Sequence, residues 1–176
     1  MGQGAVGKTS LIIRLTTDKC PKEHDPTVED TYKINLKIKS GEMREFQILD
    51  TAGEEDYQNM LDNWISSAIG FVLVFAINDS ESFEYLKTIR TRIKKNEAEN
   101  KPTLIIGNKC DLGVKRKVTV QRAEEFCKSI NCKYYETSAL EDHNGNVKKA
   151  FEDIASSIVN TNRGNEGNKG CCCVIL

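Results

Sequence analysis

Gly70-Phe71-Val72-Leu73-Val74-Phe75-Ala76-Ile77 is apolar at every position, which predicts a parallel strand buried on both faces. Helical and strand periods alternate around it. Leu11, Ile12, Ile13 and Leu15 predict a helix from about Gly7 to Thr17. Lys19 to Asp30 contains Pro21 and Pro26, has no period and reads as an exposed loop. Tyr32, Ile34, Leu36 and Ile38 share one face of a strand over Thr31–Ile38. After a turn at Ser40-Gly41-Glu42, Phe46–Leu49 forms a second strand ending at Asp50, and the two make an antiparallel hairpin.

Thr51 to Gln58 is loop-like, and a short helix covers Asn59 to Ser66. Asp79 or Ser80 caps a helix whose Phe83, Leu86, Ile89 and Ile93 lie on one side. Thr103–Ile106 is another buried strand. A helix over Val120–Ile130, a strand over Lys133–Thr137 and a helix over Val147–Val159 follow. Asn160–Gly170 is rich in Asn and Gly and reads as a flexible tail. The alternation predicts an α/β fold: a mostly parallel sheet with one antiparallel hairpin strand and helices on both faces. One domain over residues 1–160 precedes a flexible stretch over 161–176. There is no internal repeat.

Composition narrows the function classes. The 176 residues suit one domain with a real core. With 29% charged residues and a net charge of −1, nothing points to nucleic acid or to a broad basic membrane face. No run approaches the ~18 apolar residues of a transmembrane helix, and no signal-peptide core is present. Of the seven cysteines, Cys171, Cys172 and Cys173 are adjacent. That is a poor disulfide framework, and no Cys/His spacing suggests zinc, so a reduced, cytosolic setting is expected. Met1-Gly2 opens like a myristoylation signal, but Val6 stands where that motif needs Ser or Thr.

The chemistry is concentrated in a few motifs. Gly2-Gln3-Gly4-Ala5-Val6-Gly7-Lys8-Thr9 fits the phosphate-binding pattern G-x-x-x-x-G-K-[ST]. Its glycines let the backbone turn N–H groups toward phosphate oxygens. Lys8 supplies a point charge near the β- and γ-phosphates, and the Thr9 hydroxyl can ligate Mg²⁺. The helix that follows adds the positive end of its dipole. Three further polar motifs each follow a strand: Asp50-Thr51-Ala52-Gly53, Asn108-Lys109-Cys110-Asp111 and Glu136-Thr137-Ser138-Ala139. Ligands bind at that end of such sheets.

This set resembles the Ras family of small GTPases, from Gly2 to Leu176. Asp25-Pro26-Thr27-Val28-Glu29-Asp30 looks like the Ras/Rap effector loop, which continues through Thr31 and Tyr32. The resemblance implies the P-loop NTPase fold and a GTP/GDP switch that hydrolyses GTP with Mg²⁺. The phosphate-facing set then includes Gly2, Gly4, Ala5, Val6, Gly7, Lys8, Thr9 and Ser10. Thr9 and Thr27 would supply hydroxyls to Mg²⁺, with Asp50 holding it through water. The Gly53 backbone would sense the γ-phosphate, so that Thr27 and Gly53 relax after hydrolysis. Asp111 would accept guanine N1–H and N2–H₂, groups adenine lacks. Asn108 and the backbone at Ser138, Ala139 and Leu140 would read the rest of the base, with Lys109 along its face. Partners implied are effectors, a GTPase-activating protein that supplies an arginine in trans, and an exchange factor.

Cys173-Val174-Ile175-Leu176 is a C-a-a-X box whose final leucine favours geranylgeranyl from a prenyltransferase. One lipid gives reversible binding only. The neighbouring basic patch is thin, which leaves Cys171 and Cys172 as sites of a second acylation. The expected location is the cytoplasmic face of the plasma membrane.

Four departures from the family pattern stand out. Glu54 replaces the water-positioning Gln; a carboxylate accepts only, and near the γ-phosphate it would either repel that charge or polarise the water as a base. Cys20 stands where an aromatic packs on the guanine edge, a loss of about 1 kcal/mol that predicts faster nucleotide release. His24 replaces a phosphate-shielding Tyr and would make loop closure mildly pH-dependent. Only Met1 precedes Gly2, so the leading central strand is absent from this chain. Five such side chains contribute about 8–15 kcal/mol, comparable with the ~5–15 kcal/mol stability of a domain. The chain is therefore an N-terminally truncated reading of a longer gene, or it folds poorly; the intact remaining sites favour truncation. Two competing readings stand beside the switch: an idle adaptor presenting Asp25–Tyr32 without cycling, and a P-loop kinase or ATPase, which N-K-x-D disfavours.

Overall fold

The computed structural model describes residues 1–19, 29–51, 58–141, 145–162 and 172–175. Strand β1 (Glu29–Lys37) pairs antiparallel with β2 (Met43–Thr51), with Glu29 opposite Thr51 and Lys37 opposite Met43. Gly41 closes the hairpin at φ +89, and its N–H donates to Ile38 O at 2.8 Å. A left-handed turn residue is what glycine supplies without steric cost. Strand β3 (Gly70–Ala76) is buried at all positions, as its unbroken apolar run predicts. It pairs in parallel with β4 (Thr103–Asn108), and β4 in parallel with β5 (Lys133–Glu136).

Helices α1 (Lys8–Thr17), α2 (Gln58–Ser67), α3 (Ser80–Lys95), α4 (Val120–Ser129) and α5 (Asn146–Asn162) connect the strands. Two caps use short polar side chains as donors' partners at helix starts. Asp79 accepts the Glu81 N–H at 3.0 Å, and the Thr119 hydroxyl accepts the Arg122 N–H at 3.2 Å. Helix α5 runs three residues beyond the predicted Val159.

The alternation of β3 divides the core. Val72 and Val74 join one buried cluster with Leu11, Ile12, Phe151, Ile154 and Ile158. Phe71, Leu73 and Phe75 join the other with Trp64, Ile65, Phe83, Leu86 and Ile89. Phe75 meets Phe83 edge-on with centroids 5.0 Å apart, a favoured aromatic geometry.

The lane between β2 and β3 is filled from two directions. A short strand β6 (Cys172–Ile175) lies there, giving the sheet order β1-β2-β6-β3-β4-β5. It runs parallel to both neighbours: Phe46 to Leu49 align with Cys172 to Ile175, and Gly70 and Phe71 with Val174 and Ile175. Farther along β3, the Met1 amine donates to Val72 O at 2.5 Å and the Val74 N–H donates to Met1 O at 2.8 Å. The stretch expected to be flexible through residue 176 thus contributes a strand. The Asn/Gly-rich composition that suggested flexibility ends at Gly170, whereas Cys-Cys-Val-Ile can sit in a pleated sheet. Val174 is 2% exposed, in the cluster that holds Ile48 and Val72.

Gly2 follows Met1 so tightly against β3 that a Cβ would lie 2.1 Å from Val74 O. Close backbone approach, rather than left-handed geometry, demands glycine here. Gly2→Ala is expected to lower stability by about 1–3 kcal/mol, because backbone must shift to relieve the overlap. Urea unfolding followed by circular dichroism measures it.

Candidate functional site

The polar motifs converge at the carboxyl ends of the parallel strands, where this architecture places ligands. The Gly2–Gly7 loop leaves the central lane and opens α1. Ala5 and Gly7 take left-handed φ values of +58 and +95. At Gly7 a Cβ would also lie 2.4 Å from Asn108 Nδ2, so that position tolerates no side chain. Lys8 is 6% exposed, and its Nζ donates to the carbonyls of Gly2 and Gln3, both at 3.0 Å. Burial brings its pKa down to about 8, with the Asp50 carboxylate acting in the opposite direction.

Asp50, at the end of β2, is fully buried, and neither carboxylate oxygen has a well-formed hydrogen bond. Burial pushes its pKa up; the Thr9 hydroxyl, then Lys8 and the Met1 amine, act against that shift, while Asp30 adds to it. An orphaned buried carboxylate beside a hydroxyl and a phosphate-type loop fits a hard divalent cation that keeps part of its water shell. Among the described residues no group of three or more His, Cys, Asp or Glu side chains could hold a metal. A cation here would therefore depend on Asp50, the Thr9 hydroxyl and oxygens brought by a ligand.

The other end of the site is physically tied to this loop. Asn108 Nδ2 donates to Val6 O at 2.9 Å, and its Oδ1 accepts from the Thr137 hydroxyl at 3.2 Å. Lys109, at φ +64, donates from Nζ to Ala5 O at 2.7 Å. Asp111 Oδ1 accepts the Ser138 hydroxyl at 2.5 Å, while Ser138 Oγ accepts the Glu141 N–H at 2.8 Å. The motifs after β4 and β5 are thus locked to one another and to the phosphate-type loop. Ser138 and Ala139 are buried, and Leu140 is 60% exposed. Asn108, expected to read a base, has its amide engaged in holding two loops together.

Two arginines that no motif announced complete the frame. Arg14, on α1, donates from Nε to Ala139 O at 2.7 Å and from Nη2 to Leu140 O at 2.6 Å. Arg116 makes a two-pronged pair with Glu136 at 2.7 and 2.8 Å, and the Tyr134 hydroxyl donates to the same carboxylate at 2.7 Å. Burial opposes ionisation of Glu136, but the hydrogen bonds from Arg116 and Tyr134 outweigh it and hold its pKa below the ordinary value. Glu136 therefore ties the segment that carries Arg116 to β5. Nothing in the spacing of either arginine could have revealed these roles, since both act on partners far away in the chain.

Thr27, Gly53, Glu54, Asp25, Pro26, Val28, Cys20, His24 and Cys171 lie outside the described residues. Of the expected effector stretch, Glu29, Asp30 and Thr31 are exposed at the start of β1 and Tyr32 is half-buried. Ser10 is half-buried in the first turn of α1, and Gly4 has open space around it. A cavity of about 620 Å³ lined by Thr16, Lys33, Leu36 and Lys148 has no phosphate-loop residue in its wall, so it is a separate feature.

A profile described as the Ras family matches residues 1–160. The fold and the motif set define a P-loop GTPase class with a mixed parallel and antiparallel sheet. The chain belongs to the Ras family, and GTP binding and GTPase activity are family-level attributes that come with it.

Two measurements follow from these charges. Arg116→Met leaves Glu136 half-buried with only Tyr134 as donor, and is expected to cost about 1–3 kcal/mol at neutral pH. In the unaltered protein the Glu136 contribution is present above the ordinary carboxylate pKa and disappears as pH falls through its depressed native value. The variant's deficit in urea unfolding should therefore shrink as pH drops below about 4.5. Lys8 has the opposite sign. Between pH about 8 and 10.5 the unfolded chain holds a proton that the fold has released, so Lys8 makes stability rise with pH across that window. Lys8→Met should flatten the rise in unfolding titrations of nucleotide-free protein.

Proposed function

We propose that the protein is a guanine-nucleotide switch that binds GTP and GDP with Mg²⁺ and hydrolyses GTP to GDP and phosphate. The observation that carries this reading is the direct bonding of the N-K-C-D turn to the phosphate-type loop, through Asn108 to Val6 and Lys109 to Ala5. Two motifs far apart in sequence are fixed at one spacing, which suits a ligand with a base at one end and a polyphosphate at the other. Asp111, oriented by Ser138, accepts the two guanine N–H groups, and adenine would leave that carboxylate without donors. Lys8 transfers its hydrogen bonds from the Gly2 and Gln3 carbonyls to phosphate oxygens, whose charge restores a fully protonated ammonium.

Thr9, Thr27 and Asp50 hold the Mg²⁺, with Asp50's unpartnered buried oxygens supporting its share. When bound, the ion neutralises charge on the phosphate oxygens. In the motif that follows Asp50, Glu54 stands in sequence where the family's water-orienting residue is expected, and Gly53 would offer its N–H to the γ-phosphate. The phosphate loop carries no arginine, so rapid turnover requires one from an activating protein. Effectors read Asp25–Tyr32 in the GTP state, and an exchange factor resets the switch. No described helix is long and apolar enough to cross a membrane. Attachment to the cytoplasmic face of the plasma membrane then rests on a lipid at Cys173, with acylation at Cys171 or Cys172 as the second anchor.

One observation favours an idle adaptor as the second reading. The Lys8 ammonium and the Asn108 amide are both hydrogen-bonded to carbonyls of the protein's own loop. Nucleotide carried through purification separates the two: guanine nucleotide supports the switch, and empty protein supports the adaptor. Asp111→Ala tests the base assignment. The advantage of GTP over ATP, expected to be on the order of 10⁴, should collapse toward unity in competition binding, and a retained preference overturns the assignment.

A further inference from the structure

We propose that Cys127 and Cys132 are a dithiol that a hydroperoxide converts to an intrachain disulfide across the C-terminal cap of α4. The pair joins the end of α4 to the start of β5, whereas Glu136 and the motif after it lie at the other end of that strand. The modification site is therefore separate from the nucleotide motifs.

The helix cap brings the two cysteines together. Helix α4 ends at Ser129, Ile130 caps it, and Asn131 follows in the left-handed region at φ +51. The Asn131 N–H donates to Lys128 O at 3.2 Å, and the Cys132 N–H donates to Cys127 O at 3.0 Å. Those two bonds and the left-handed residue define a Schellman motif, whose outer pair of side chains commonly meets in an apolar contact. Here the outer pair is Cys127 and Cys132. With N–Cα and Cα···O spans of about 1.5 and 2.4 Å, the outer bond holds their Cα atoms within about 7 Å, the limit for a disulfide. The two thiols are free and hydrogen-bond to each other.

The two sulfurs are unequal. Cys127 is 3% exposed, in the cluster of Phe75, Phe83 and Leu86. Cys132 is half-buried and lines a cavity of about 620 Å³ whose charged walls are Arg90, Lys101, Lys133 and Glu99. The hydrogen bond from the Cys127 S–H, opposed by burial and aided by the Arg90 charge, lowers the Cys132 pKa. The same bond, with burial, pushes the Cys127 thiol up. Cys132 is thus the attacking sulfur and Cys127 the resolving one. The Cys132 thiolate attacks one peroxide oxygen: an S–O bond forms and the O–O bond breaks with its electron pair. The departing alkoxide or hydroxide takes a proton from solvent, matching the one Cys132 released. Cys127 then gives up its proton and its sulfur attacks Cys132; the S–S bond forms, and hydroxide leaves with that proton as water. The two thiols lose two electrons, and the peroxide gains them.

The test exposes the full 176-residue chain, reduced and freed of reductant, to hydrogen peroxide, then alkylates it unfolded and digests it with trypsin for mass spectrometry. Cleavage after Lys128 separates the two cysteines, so the disulfide is expected as residues 123–128 linked to residues 129–133, with both alkylatable thiols lost together. Cys127→Ser keeps a donor but no resolving sulfur, and dimedone should then trap the sulfenic acid at Cys132. In Cys132→Ser, Cys127 should stay fully alkylatable. Cys127→Val removes the donor as well, and should slow iodoacetamide at Cys132 about threefold at pH 7, because roughly tenfold less thiolate is partly offset by its greater nucleophilicity. Circular dichroism before treatment establishes that each variant is folded. Both thiols of the unaltered chain remaining alkylatable, after an exposure that oxidises glutathione, overturns the proposal. A link between two chains or to another cysteine overturns it too, as does a dimedone adduct at Cys127. An unchanged iodoacetamide rate in Cys127→Val overturns the assignment of Cys132 as the attacking sulfur. None of these outcomes depends on bound nucleotide, so the switch reading stands or falls separately.

Discussion

The N–H and C=O groups along the edge of β3 that faces β2 have no water to turn to, because both faces of that strand are covered by core side chains. Interior backbone groups must find protein partners. Those partners are β6, at the beginning of β3, and Met1, which pairs with Val72 and Val74. The phosphate-type loop starts one residue later, at Gly2. Its position is therefore inherited from the pairing of Met1, and the geometry of the site depends on how the central lane is filled.

From that anchor the site is assembled by side chains that cross-connect loops. Asn108 and Lys109 hold the carbonyls of Val6 and Ala5, Thr137 holds Asn108, and Ser138 holds Asp111. A network with most of its members satisfied keeps a fixed shape, whereas a half-satisfied one would not. Asp50 departs from this, buried with both oxygens lacking well-formed partners, as does the Gln3 Oε1 in the loop itself. Unsatisfied polar atoms of this kind concentrate where something else is meant to bind.

Strong local patterns made most of the architecture readable in advance. The unbroken apolar run of β3, the alternation of β1 and the capping residue of α3 each specify their element through neighbours in sequence. The motifs could be recognised because phosphate and base chemistry demand fixed spacings. Three features were not legible. The strand at Cys172–Ile175 is too short to carry a period, and what holds it is pairing with two strands distant in sequence, β2 and β3. The roles of Arg14 and Arg116 depend on partners 125 and 20 residues away. Gly2 proved to be needed for its clearance from Val74, a reason that a phosphate-loop pattern does not contain.

Arg14 belongs to the helix that begins at the phosphate-type loop, yet its guanidinium holds the carbonyls of Ala139 and Leu140 at the opposite end of the site. A single rigid rod thereby joins the two halves. Ordering either segment lowers the conformational freedom still to be lost by the other, so a ligand that spans both gains more than its two fragments would gain separately. The same linkage works in reverse, and a disturbance confined to the Ala139–Leu140 corner is felt at the far end of the helix without any contact there.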